Sequence, residues 1–176
     1  MKGSHSREEF TMHAMELIQQ YIENAAKVDA SAVVVDRKDG LSEAIRQKIT
    51  ATDSVYCPRI TALEQELDLP KELLTTDYHH ASVTVEEATA GIAETGSIVC
   101  WSKEGRSLQA SVLPLRHVAI VAKENVLPDL EAFFGSLGDN PPTNITIITG
   151  PSRTADIELT LTTGVHGPEF LDIIIV

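Results

Sequence analysis

Cysteine is nearly absent from this chain: Cys57 and Cys100 are its only two, far apart and outside any Cys-x-x-Cys spacing. That argues against a disulfide framework, a zinc site or an iron–sulfur cluster. Aromatics are also scarce at 5% of residues, so the core is expected to be Val, Ile, Leu and Ala. Basic residues are few, 14 Lys+Arg against 26 Asp+Glu, and they form no cluster. A nucleic-acid binder shows a basic stripe and a peripheral membrane binder a polybasic patch, so neither is expected. No apolar run approaches the ~20 residues of a membrane span, and the N-terminus has no signal-peptide core. The expected location is the cytoplasm.

What is present alternates between helix and strand signals. Residues 1–8 are expected to be a disordered lead-in, and residues 9–176 a single domain. Ser6 and Glu9 have capping-box spacing, followed by Phe10, Ala14, Leu17, Ile18, Tyr21 and Ala25 at helical spacing. A buried strand is expected at 32-AVVVD-36, a helix at 41-LSEAIRQKI-49, a short strand at 54-SVYC-57 and a helix at 61-TALEQEL-67. Thr84 and Glu87 repeat the capping-box spacing and predict a helix over 85-VEEATAGI-92. Strands follow at 97-SIVCW-101, 117-HVAIVA-122, 144-NITIIT-149 and 172-DIIIV-176. Helices are expected at 107-SLQASVL-113 and 128-PDLEAFFGSL-137, with a helical turn in 153-RTADIELTL-161. Apolar strands separated by helix-length connections imply an α/β fold, a parallel-rich sheet covered by helices on both faces.

Three loops carry the candidate chemistry, since ligands of open parallel sheets bind beyond the carboxyl ends of strands. In 149-TGPSRTADIE-158, Gly150 permits close backbone approach, Ser152 and Thr154 offer hydroxyls, and Arg153 offers a fork for carboxylate or phosphate. The same residues also fit a plain capped turn with Arg153 in solvent. Asp156 and Glu158, two apart, make a poor acid–base pair and suit a helix start. In 163-TGVHGP-168, Gly164 and Gly167 bracket His166, either a ligand-facing imidazole or a turn histidine. In 93-AETGS-97, Glu94 is a candidate nucleophile or base beside Thr95 and Gly96, or an ordinary turn residue. His5, His13, His79, His80 and His117 have no metal-ligand spacing, and no metal site is expected.

Taken together, 93-AETGS-97, 111-SVLPLRHVAIV-121, 149-TGPSRTADIE-158 and 163-TGVHGPEFLDIIIV-176 closely resemble the LUD-domain family, in particular its lactate utilization protein C-like branch. The resemblance is close over residues 84–176 and loose over 10–83, with no counterpart for 58–81. It implies a fold of the CoA-transferase and ribose-phosphate-isomerase group. It also implies a part in oxidising L-lactate to pyruvate beside iron–sulfur partner subunits, this chain holding no cofactor itself. The expected role is a non-redox subunit that binds a small carboxylate or organises its partners. The alternatives are a CoA-transferase-like enzyme with Glu94 as nucleophile and phosphate or CoA in the Gly150–Thr154 loop, and a regulatory ligand-binding domain. The expected site joins Gly150, Ser152, Arg153, Thr154, Thr95, Gly96 and Gly167 as ligand contacts, with Glu94 and His166 as the catalytic candidates.

Overall fold

The computed structural model describes residues 5–35, 40–102, 105–154, 162–163 and 167–176. Helix α1, His5–Lys27, starts inside the stretch expected to lack structure. It buries Tyr21 and Ala25 completely and packs Leu17, Ile18 and Ile22 against the same core. Its end is a Schellman turn: Ala30 N–H donates to the Ala25 carbonyl (3.0 Å) and Asp29 N–H to that of Ala26 (3.1 Å). Asp29 occupies the left-handed position usually given to glycine, with φ 60°.

Six strands make the main sheet, parallel at every pairing. They are β1 (Ser31–Val34), β2 (Val55–Tyr56), β3 (Leu74–Thr75), β4 (Val83–Glu87), β7 (Arg116–Val121) and β12 (Phe170–Ile175), in the order β1-β12-β7-β4-β2-β3. A second sheet runs β8-β5-β6-β9, built from β5 (Ala90–Ile92), β6 (Ser97–Trp101), β8 (Val126–Leu127) and β9 (Ile145–Ile148).

The layers follow from which side chains share a face. Val83, Val85, Val118, Ile120 and Ile174 pack under α2 (Leu41–Arg46) and α3 (Ala62–Glu66). On the other face Ala119, Val121, Leu171, Ile173 and Ile175 meet α1 and the inward residues Ile98, Cys100 and Ile148 of the small sheet. The small sheet's outer face, with Ile92 and Val99, is covered by Phe133 of α5 (Leu130–Gly135). A short helix α4, Gln109–Val112, leads into β7.

Three expectations are corrected. Residues 85–92 are not a helix but the end of β4, a two-residue link and β5, because Val83, Thr84 and Val85 pair with β7 in the middle of the main sheet. Pairing and burial there outweigh the capping-box spacing of Thr84 and Glu87. The strand at residue 32 is not buried but an edge, with Val33 and Val34 39% and 45% exposed. Residues Arg153–Thr154 do not open a helix; they form β10, antiparallel to β11 (Thr162–Thr163). Asp156, Glu158, Gly164 and His166 lie outside the described residues.

Candidate functional site

Two of the three motif loops meet at the end of α1. The Ala-Glu-Thr-Gly turn is a socket for it: Asn24 Nδ2 donates to the carbonyls of Ala93 (2.7 Å) and Glu94 (3.0 Å), and Tyr21 Oη to that of Ser97 (3.0 Å). Gly96 has φ +68°, and a Cβ there would come 2.2 Å from the Ala25 backbone nitrogen. Gly150, φ +71°, meets the next turn: its Cβ would fall 2.1 Å from the Val28 carbonyl oxygen. The close approach that both glycines permit is therefore made by α1. A hydroxyl chain ties the two loops, with Thr95 Oγ1 2.6 Å from Ser97 Oγ and Ser97 Oγ 2.7 Å from Thr149 Oγ1.

Beside this junction lies an open cleft of about 640 Å³. Lys27 and Val28 form one wall, the 149–153 loop another, and Gly167 and Pro168 a third. Ser152 N–H donates to the Pro168 carbonyl (2.8 Å), holding the second and third walls together. Arg153, half exposed, ion-pairs with Asp29, which the left-handed turn after α1 places there. A second cleft shares Arg153 and Pro151 and reaches Arg116 and Asp172. Arg116 ion-pairs with Asp172 and lies 4.5 Å above the Phe170 ring, while Lys48 Nζ sits 2.7 Å from the other Asp172 oxygen. Both clefts flank the amino ends of β7 and β12, the end opposite to the one expected for a ligand of a parallel sheet. The structure thus brings Gly150, Ser152, Arg153 and Gly167 to one cleft and places Thr95 and Gly96 beside it, against α1. Glu94 is exposed and does not line the cleft.

A second constellation went unseen in the sequence. Around β4, Glu64, Glu86, Ser111 and His117 are fully buried, and Arg106 is 9% exposed. Arg106 bridges two carboxylates, Nη1 to Glu86 Oε2 (2.6 Å) and Nη2 to Glu64 Oε1 (2.8 Å). Glu64 also accepts from the backbone N–H of Ile60 (2.8 Å), Thr61 (3.2 Å) and Glu87 (2.8 Å), the first two as part of α3's N-terminal capping box. Glu86 Oε1 accepts from Ser111 Oγ and has Cys100 Sγ at 3.8 Å. His117 Nε2 stands 3.1 Å from the same oxygen, but the N–H direction misses it. Neither ring nitrogen of His117, nor Thr84 Oγ1, has a hydrogen-bond partner among the described residues. Burial pushes the Glu86 carboxyl up, yet His117, Arg106 and Ser111 outweigh it and hold the group down to about 2. The signal that could have found this cluster is the charge pattern: Glu86 sits within a strand-like run, where a buried carboxylate demands a partner.

The opposite, carboxyl end of β4 opens into a cleft of about 360 Å³ bordered by Thr61, Glu87, Thr89, Trp101, Arg106 and Asn125. Among the described residues no helix is long and apolar enough to cross a membrane. His79 and His80 lie in a 3₁₀ turn, where His80 Nδ1 is 2.8 Å from Asp77 Oδ2.

Residues 63–176 match the model of the LUD domain. The chain belongs to the LUD-domain family. This LUD protein is 36% identical over 94 residues to Lactate utilization protein C of Macrococcus caseolyticus, covering 50% of this chain and 41% of that protein. To the Bacillus subtilis protein of the same name it is 29% identical over 185 residues, 88% of this chain and 76% of that one. The matches to the Macrococcus caseolyticus and Halalkalibacterium halodurans proteins span less than half of those relatives' length, 41% and 45%. Among solved structures, a DUF162 family protein from Deinococcus radiodurans superposes with a TM-score of 0.63 at 19% identity, over 93% of this chain and 98% of that one. That likeness establishes a shared α/β fold.

Proposed function

We propose that this LUD protein serves lactate utilization as a non-redox subunit, binding a small carboxylate in the cleft between the end of α1 and the 149–153 loop. The system is taken from the relatives named Lactate utilization protein C. The carboxylate is supported by one geometric observation: Lys27 and Arg153 border the same open cleft, whose walls come from the family's motif loops. Arg153's present partner, Asp29, is 58% exposed, and an ion pair so hydrated is worth only about 0–1 kcal/mol. An incoming carboxylate can therefore replace or share it at little cost.

The non-redox part of the reading is supported by the thiols. Cys57 packs with the core under α2 and α3, and Cys100 belongs to the core on the opposite face of the main sheet. The two cannot meet in one iron–sulfur cluster, so electrons from lactate would pass through partner subunits. Covalent catalysis at Glu94 has no such support, because that carboxylate stands apart from the cleft.

Deleting the gene in its host tests the proposal. Growth on L-lactate as sole carbon source should be lost, and restored by the wild-type gene. Undiminished growth on lactate without the gene contradicts the proposal.

A further inference from the structure

The buried cluster around β4 is not used by the carboxylate reading, and its geometry has a purpose of its own. We propose that Glu86, Cys100 and His117 form a binding site for one divalent transition-metal ion, with Zn²⁺ the best-matched.

Four observations carry this. One ligand atom from each of the three residues lies within 4.8 Å of the other two, and all three residues are buried. A tetrahedral ion with bonds of about 2.1 Å to nitrogen and oxygen and about 2.3 Å to sulfur has ligand–ligand edges of roughly 3.4–3.6 Å. The separations here, 3.1 Å from His117 Nε2 to Glu86 Oε1 and 3.8 Å from Cys100 Sγ to the same oxygen, lie close to those edges.

Second, His117 is completely buried and neither ring nitrogen is hydrogen-bonded among the described residues. Buried polar atoms without hydrogen bonds are rare; an ion on Nε2, which faces Glu86 Oε1 off its N–H axis, and an ordered water on Nδ1 are standard reasons for the two. Thr84 Oγ1, also unpartnered, stands opposite His117 in the β4–β7 register, on the same sheet face. It is placed to hold a water as the fourth ligand.

Third, Glu86 is oriented as a ligating carboxylate is. Arg106 occupies Oε2 and Ser111 donates to Oε1, fixing the group while leaving room on Oε1 toward His117 and Cys100. Such outer hydrogen bonds are what hold metal ligands in place.

Fourth, the charges close. With His117 neutral as a metal ligand, Glu64 and Glu86 contribute two negative charges and Arg106 one positive. A Cys100 thiolate brings the cluster to two negative, which one divalent cation neutralises without leaving net charge in the core. The nitrogen, oxygen and sulfur set selects Zn²⁺ or Co²⁺ over Mg²⁺ and Ca²⁺, which take oxygen alone.

The test is cobalt titration of the purified, chelator-treated protein, followed by optical spectroscopy. We expect one Co²⁺ per chain, a thiolate-to-cobalt charge-transfer band in the near ultraviolet, and loss of that band when Zn²⁺ displaces the cobalt. Cys57→Ala should keep the band and Cys100→Ala should lose it, both while retaining the wild-type circular dichroism spectrum. Ser111→Ala should bind about tenfold or more weakly, as removal of a ligand's hydrogen-bond partner does. Folded wild-type protein without the band overturns the proposal, whatever the variants do. So does a band that survives Cys100→Ala.

Discussion

Gly150 is pressed against the Val28 carbonyl so closely that a Cβ would lie 2.1 Å from its oxygen, on a backbone already at φ +71°. Two costs add in Gly150→Ala. The left-handed conformation costs about 1–2 kcal/mol for an L-residue, and overpacking typically about 1–3 kcal/mol more. The variant should therefore be destabilised by roughly 2–5 kcal/mol in urea unfolding. Gly135, the last residue of α5, has nothing within 4 Å of its Cβ position, so Gly135→Ala should be neutral or slightly stabilising. Equal effects at the two sites would contradict the packing account of the motif glycine.

Among the described residues, Arg106 is the one arginine or lysine that bridges the Glu64 and Glu86 carboxylates, and all three are buried. Arg106→Met leaves two buried negative charges facing each other. Loss of one partner from a buried pair costs about 3–5 kcal/mol, and here two carboxylates lose their arginine at once, leaving Glu64 on backbone N–H groups and Glu86 on Ser111 and His117. Chemical denaturation should place the loss at or above that range; a loss under about 1 kcal/mol would show that water already reaches the cluster.

The fold was largely legible because its central strands are continuous apolar runs. Residues 117–122 and 172–176 read correctly as strands since β7 and β12 are covered on both faces. The failure at 85–92 came from local chemistry that imitates a helix start, where strand pairing with β7 decides instead. The 149–153 loop was legible as a special turn, but not its partner, since nothing local to Gly150 says that α1 ends beside it. Glu86 within an apolar run hinted at a buried partner, but which residues join it in the Glu86, Cys100 and His117 cluster was not legible, for the same reason. Its members lie on three strands, β4, β6 and β7, with no fixed sequence spacing to betray them.

Cys57 is half-buried, and burial pushes its thiol up to about 11 from an ordinary 9.0. At pH 8 its thiolate fraction is then about a hundredfold lower than that of an ordinary thiol. Alkylation by iodoacetamide should be slower by roughly that factor in folded protein and recover in denaturant. Rapid alkylation of the native protein would contradict the packed position beneath α2 and α3.

Asp53 is pulled below its ordinary carboxylate value. Partial burial opposes the shift, but hydrogen bonds from the Thr50 backbone and from the Ser82 and Thr50 hydroxyls outweigh it. A depressed folded value means that Asp53 stabilises the fold above its unfolded value, 3.8, and that this contribution fades as pH falls through the lower folded value. Asp53→Asn should lower the thermal midpoint at pH 7 and approach the wild type in acid. A difference independent of pH would remove the carboxylate from this role.

The central claim is that Lys27 and Arg153 receive a small carboxylate, and calorimetric titration with L-lactate and pyruvate tests it most directly. Wild-type protein should bind at least one of them. Arg153→Ala should weaken that binding by about 1–3 kcal/mol, the range of a charged hydrogen bond. Asp29→Asn, which removes the competing carboxylate beside Arg153, should tighten it. No heat of binding with either acid, or affinities unchanged in both variants, would contradict the account.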